Sequence, residues 1–140
     1  MGIEQEFPNL VKDGYRVTSE ASQEYNCVAW AAGISDDWWD PAEGYTWPEG
    51  VPRKYTRETL IAVYRTLGFE ICIGTQLEAG FEKVAIYADD AGWTHAARQV
   101  DDGKWTSKLG PNEDIEHSSP EAVSDTIYGQ VICIMKRTKQ

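Results

Sequence analysis

The chain is short of cations, of cysteines and of long apolar runs, and each shortage closes off a class of protein. Its 140 residues carry 13 lysines and arginines against 23 aspartates and glutamates, a net charge of -10. A surface this acidic repels phosphate backbones, so nucleic acid is not an expected partner. The charge serves solubility first, with a basic partner or substrate as the other reading. No stretch reaches the ~20 apolar residues of a membrane-spanning helix, so no membrane partner is expected. The start, Met1-Gly2-Ile3-Glu4-Gln5-Glu6-Phe7-Pro8, has neither a basic opening nor an apolar run. It does not read as a signal peptide, which makes the expected location cytoplasmic, with signal-independent export left open.

Three cysteines, none in CxxC spacing, argue against a disulfide framework and against a cysteine zinc site. Cys72 and Cys133 each sit in an Ile-Cys-Ile triplet and read as buried small apolar residues on strands. A bridge between them is the alternative if the two strands are neighbours. Two histidines, His95 and His117, with no HExxH or paired spacing, do not make a metal site, and no cofactor is expected. Asp89-Asp90 and Asp101-Asp102 read as turn residues.

What is present is a 41 % hydrophobic, 11 % aromatic sequence, enough for one globular domain with a core. Residues 1–24 are polar and weakly patterned and read as an N-terminal arm; residues 25–140 read as a single domain. Cys27 to Ala32 favours a short helix stopped by Gly33. A loop from 34 to 52 follows, rich in Pro, Gly, Asp and Trp. Thr56 caps a helix to about Leu67, with Leu60, Val63, Tyr64 and Leu67 as its apolar stripe. The period then changes to two. Strands are expected over 69–73, 83–88, 93–100 and 104–109, with Asp102-Gly103 as a hairpin turn. Gly110-Pro111-Asn112 breaks the pattern. Ser119-Pro120 opens a late helix to about Ile127. Val131 to Met135 reads as a central strand covered on both sides, and residues 136–140 as a solvated tail. The order is α+β: N-terminal helices on a mainly antiparallel sheet of about four to six strands.

Cys27, in Tyr25-Asn26-Cys27-Val28-Ala29-Trp30-Ala31, follows a polar turn and opens an alanine-rich helix. His95, in Trp93-Thr94-His95-Ala96-Ala97-Arg98-Gln99, lies on a strand with small neighbours that leave room for another element. Alternation puts Trp93, His95, Ala97 and Gln99 on one face. A thiol at a helix start with a histidine on a later strand is the layout of a cysteine hydrolase. On that reading the Cys27 sulfur approaches a ring nitrogen of His95 and has a depressed pKa. The bland readings are a buried thiol and a histidine satisfied within a sheet. Asn26 or Gln23 would offer an amide donor to an oxyanion, and Asn26 equally suits a helix cap. Trp38, Trp39 and Trp47 either cover the core or wall a cleft beside Cys27.

These stretches, together with Trp105-Thr106-Ser107-Lys108-Leu109-Gly110, resemble the papain-like superfamily, in particular its compact bacterial NlpC-type and amidase-like branch. A family of small bacterial papain-like domains is similar over most of residues 25–117 and brings no substrate with it. The resemblance implies Cys27 as nucleophile, His95 as base and a polar residue on the following strand to orient the imidazole. That strand offers Thr106, Ser107 and Lys108, of which Ser107 can accept from the ring and Lys108 cannot. Glu116 and His117 lie just beyond.

Two functions follow. One is thiol-dependent hydrolysis or acyl transfer at a peptide, isopeptide or side-chain amide, with a peptide or protein as substrate. The other is a non-catalytic, acidic partner-binding or immunity-type module on the same fold. No motif speaks to oligomeric state.

Overall fold

The computed structural model describes residues 2–109, 111–124 and 127–139. Two short helices, α1 (Ile3–Glu6) and α2 (Asn9–Asp13), lead into strand β1 (Tyr15–Val17). Helices α3 (Cys27–Ala31) and α4 (Arg57–Thr66) follow, on either side of the tryptophan-rich loop. Then come β2 (Glu70–Cys72), β3 (Phe81–Asp89), β4 (Gly92–Gln99), β5 (Trp105–Lys108), β6 (Asp114–His117), a 3-10 helix (Pro120–Val123) and β7 (Gln130–Thr138). The protein is α+β. Its strands form one seven-stranded sheet in the order β1-β6-β5-β4-β3-β7-β2, with every neighbouring pair antiparallel.

Sequence chemistry accounts for the local pieces. Thr56 caps α4 by accepting from the Thr59 amide, and Leu60, Val63 and Tyr64 are its fully covered face. Asp90 and Ala91 turn β3 into β4, and Gly92 has φ 139° with no room for a side chain: a Cβ there would lie 2.1 Å from the Tyr55 carbonyl oxygen. The β4–β5 connection closes with Val100 N–H donating to Lys104 C=O and Gly103 N–H to Val100 C=O.

Several expectations change. The first 24 residues supply an edge strand that pairs with β6, and Phe7 and Leu10 are buried. Their two helices are too short for a periodic stripe, so the pattern is weak although the packing is real. β6 had no sequence signal of its own. The late helix is one 3-10 turn over Pro120–Val123; Asp125 and Thr126, within its expected span, lie outside the described residues, as do Gly110 and Gln140. β7 is one strand from the edge, not central, and it continues through the supposed tail. Lys136 pairs with Glu78 at 2.8 Å and Arg137 with Glu82 at 2.8 Å. Cys72 stands opposite Ile134 and packs on one face, while Cys133 packs on the other. The two thiols are half-buried and free, and they point away from each other, so neighbouring strands do not make a bridge.

The sheet divides two cores. On one face α3, α4 and the tryptophan loop bring Val28, Ala29, Leu60, Val63, Tyr64, Trp39 and Trp47 against Val84, Ile86, Ala96 and Met135. On the other, α1, α2 and the 3-10 helix bring Phe7, Leu10, Ala122 and Val123 against Ala85, Tyr87, Ala97, Trp105, Ile115 and Ile134. Among the described residues no helix is long and apolar enough to cross a membrane.

Candidate functional site

Cys27 is the first residue of α3, and α3 packs on β4 and β5. Asn26 sets the start of the helix. Its Oδ1 accepts from the Ala29 amide at 3.3 Å and from the Trp39 amide at 3.1 Å, and its Nδ2 donates to the Trp39 carbonyl at 2.7 Å. Asn26 is therefore a helix cap and a clamp on the tryptophan loop, and the carboxamide is spent on that work. The turn before it is held from below. Tyr25 Oη donates to Asp114 Oδ2 at 2.6 Å, and the buried Lys108 ammonium donates to the carbonyls of Ser22 and Asn112, each at 2.7 Å. Lys108, unable to orient an imidazole, instead fixes the loop that delivers Cys27.

The thiol is 9 % exposed. Burial pushes its pKa up to about 11, against the pull of the backbone N–H groups of Ala96, Val28 and Cys27 itself. This reverses the depressed pKa expected from the helix start. A five-residue helix contributes few N–H groups, and the loss of water outweighs them.

His95 is fully buried. Its ring stacks on Tyr128 at 3.9 Å with planes 3° apart and meets the edge of Tyr87 at 5.1 Å. Its Nε2 lies 2.9 Å from Ser107 Oγ; Ser107 Oγ lies 2.8 Å from His117 Nε2; His117 Nδ1 lies 2.7 Å from the Ser119 carbonyl oxygen. A carbonyl only accepts, so His117 carries its proton on Nδ1. Burial pushes the pKa of His117 down to about 4 and that of His95 well below the usual range, with His117 adding to the latter. Both rings are neutral near pH 7. Neutral His117 then accepts at Nε2, Ser107 donates to it, and the Ser107 oxygen accepts from His95 Nε2–H. The chain fixes the tautomer of His95 and leaves Nδ1 as a bare lone pair, with no hydrogen-bond partner.

The geometry relates the two candidates in an unexpected way. His95 pairs across the sheet with Tyr87, and Ala96 with Ile86. Tyr87 and Ala97 belong to the second core, whereas Ala96 shares the first with Cys27. Trp93 also joins the first core, although simple alternation puts it beside His95. A bulge where Tyr87 pairs with His95 and Ala88 with Trp93 breaks the alternation. The imidazole thus leans to the face away from α3. From β4, the backbone N–H of Ala96, the residue after His95, acts on the thiol. Neither ring nitrogen of His95 is hydrogen-bonded to it.

Of the other candidates, Ser107 meets His95. Gln23 and Trp38 line a cleft of about 280 Å³ with Tyr45 and Pro111. Trp39 and Trp47 are core residues, Trp47 stacking on Trp93 at 6.1 Å. Sequence reasoning did not assign Tyr128 or the link from Ser107 to His117. The pairing of β5 with β6 puts Trp105 opposite His117 and Ser107 opposite Ile115, so Ser107 and His117 are diagonal neighbours on one face. No local pattern encodes that. Among the described residues no three His, Cys, Asp or Glu side chains gather as metal ligands.

The fold and these residues define the class: an α+β protein whose antiparallel sheet has a buried thiol at one of its strands and a buried histidine–serine–histidine chain behind it. The chain belongs to the family described as Domain of unknown function (DUF7689), which matches residues 16–136. No curated protein and no solved structure matches it.

Proposed function

We propose that the chain is a papain-like thiol hydrolase or acyltransferase acting at an amide bond of a peptide or protein, with Cys27 as nucleophile and His95 as base. The observation that carries this reading is the bare, buried Nδ1 of His95, held in one tautomer by Ser107 and His117 on the strand whose next residue, Ala96, shares a core with Cys27. A general base needs a free lone pair and a fixed ring, and the hydrogen-bond chain supplies both. Ser107 takes the orienting role, with His117 behind it making the serine oxygen a better acceptor.

The thiol and imidazole both rest neutral, so proton transfer accompanies attack instead of preceding it. Attack requires the thiol and the imidazole, which rest toward opposite faces of β4, to come to one side of it. The Cys27 sulfur then bonds to the carbonyl carbon, and its proton goes to His95 Nδ1. The tetrahedral intermediate collapses, the C–N bond breaks, and His95 gives the proton to the leaving nitrogen. Water or another amine then attacks the thioester, His95 takes its proton, the C–S bond breaks and the thiol regains a proton. Substrate would enter by the cleft at Gln23, Trp38 and Tyr45, which leads to the turn before Cys27.

The test is acylation by p-nitrophenyl acetate, with the acetyl group mapped by mass spectrometry. A burst on Cys27 is expected, absent in Cys27→Ala and slowed about 10²-fold in His95→Ala. An unmodified Cys27, or equal rates with and without His95, overturns the reading.

A second reading, the non-catalytic acidic binding module, is favoured by the burial of the thiol and by the lean of His95 toward the other face. It expects no acylation, and alkylation of Cys27 slower than that of the half-buried Cys72 and Cys133.

A further inference from the structure

Among the described residues three buried side-chain atoms have no hydrogen-bond partner: His95 Nδ1, Trp39 Nε1 and Asp114 Oδ1. Leaving such a group unpaired carries the full cost of its desolvation, so each one calls for a reason. His95 Nδ1 has one in the proposed reaction, as the base. The Trp39 indole N–H is the only donor of the three, and the same reaction needs a donor where the carbonyl oxygen becomes negative.

Trp39 is placed for that task by its ties to the nucleophile. Its amide and its carbonyl are both bonded to the side chain of Asn26, the residue before Cys27. Its ring is 8 % exposed and belongs to the same core as Cys27. Asp40, the next residue along, is near enough for its charge to act on the Cys27 thiol. The carboxamide of Asn26, the donor the sequence offered here, is already committed. The cleft residue Trp38 immediately precedes Trp39 in the chain.

We propose that Trp39 Nε1–H is an oxyanion donor of the candidate active site, acting with the backbone N–H of Cys27. This rests on the hydrolase reading above. Asn26 is then a positioning residue for both donors, because one side chain fixes the start of α3 and the main chain of Trp39.

Two probes separate this role from a structural one. Acylation of Cys27 by p-nitrophenyl acetate passes through a tetrahedral oxyanion; alkylation by iodoacetamide does not. Trp39→Phe keeps an aromatic ring and removes the N–H. It is expected to slow acylation about 10²-fold while leaving the alkylation rate of Cys27 unchanged. Replacement of Trp39 by benzothienylalanine, which keeps the bicyclic shape and exchanges N–H for sulfur, should do the same and guards against a packing defect. Thermal melts should show the benzothienylalanine protein as stable as wild type, since the ring shape is kept and the group removed has no partner to lose, whereas Trp39→Phe should melt lower for the part of the buried ring it loses. Acylation at the wild-type rate in the benzothienylalanine protein overturns the proposal, as does a Gln23→Ala variant that shows the whole loss instead. If wild-type Cys27 is not acylated at all, the hydrolase reading fails and this role with it. If acylation depends on His95 but not on Trp39, only the donor assignment fails.

Discussion

On the α3/α4 face of the sheet the interior is apolar, and most of its polar atoms are tied off close by. Tyr64 Oη donates to the Val28 carbonyl at 2.9 Å and Trp47 Nε1 to the Pro52 carbonyl at 3.0 Å. On the other face a line of polar side chains, His95, Ser107 and His117, runs through the interior and ends on the Ser119 carbonyl. The first face is held by burial, which is nondirectional and tolerates change if volume is kept. The second depends on every link of a chain, because each member is satisfied only through its neighbour. The candidate chemistry needs both: a dry wall that sets the thiol and a directional chain that sets the base.

The largest effect should come from breaking the apolar face. Tyr64→Ala removes a fully buried ring and its bond to α3, and should cost about 4 kcal/mol, read as a lower urea midpoint. The loss should be the same at mildly acidic and neutral pH.

Ser107→Ala breaks the polar face. It leaves His95 Nε2–H and His117 Nε2 without partners and should cost about 3 kcal/mol. It also frees the tautomer of His95, so acylation of Cys27 should fall with it. A Ser107→Thr variant, which keeps the hydroxyl, should recover part of both; full activity in Ser107→Ala would show that the chain does not orient the base.

Acidification should weaken the second face alone. A histidine buried neutral has a folded pKa below its unfolded value of about 6.5. Above that value neither state binds the proton and nothing is lost. Below it only the unfolded chain does, so stability falls as pH drops, by about 1.4 kcal/mol per unit per histidine until the folded pKa is reached. For His117, whose folded value is about 4, the window contributes about 3 kcal/mol, and His95 adds in the same direction. Urea midpoints from about pH 7 to about pH 5 should fall in wild type and fall less in His117→Asn. An unchanged slope in that variant would place the pH dependence elsewhere.

The smallest effect belongs to the joint near the thiol. Asn26→Ala removes the α3 cap and the clamp on Trp39, at about 1 to 2 kcal/mol in melting experiments. It should disturb acylation more than its stability cost suggests, because it releases both proposed oxyanion donors at once.

Much of the scaffold was legible because its signals are local. The α4 stripe and its Thr56 cap, the β3–β4 turn at Asp90-Ala91 and the turn into β5 at Asp102-Gly103 need only neighbours in sequence. The α3 start at Cys27 was legible from Asn26 and the alanines. What failed has a common cause. β1 and β6 are three and four residues long, too short to show a period, and exist because they pair with each other and with β5. Apolarity alone makes Val131 to Met135 a central strand, but its place one strand from the edge is set by which partners it finds. The face of Trp93 could not follow from alternation, because a bulge intervenes.

By itself the sequence determined the class of the fold, the position of a thiol at the start of a helix and of a histidine on a later strand, and an acidic surface. These depend on short-range periodicity, capping and charge, which a chain carries wherever it folds. Only the tertiary structure decided that Ser107 would join His95 to His117, that Asn26 would be spent on Trp39, and that the Cys27 thiol would rest neutral. Hydrogen-bond partners, tautomers and pKa values depend on which groups meet and how much water is driven out between them, and those meetings are made by strands far apart in sequence.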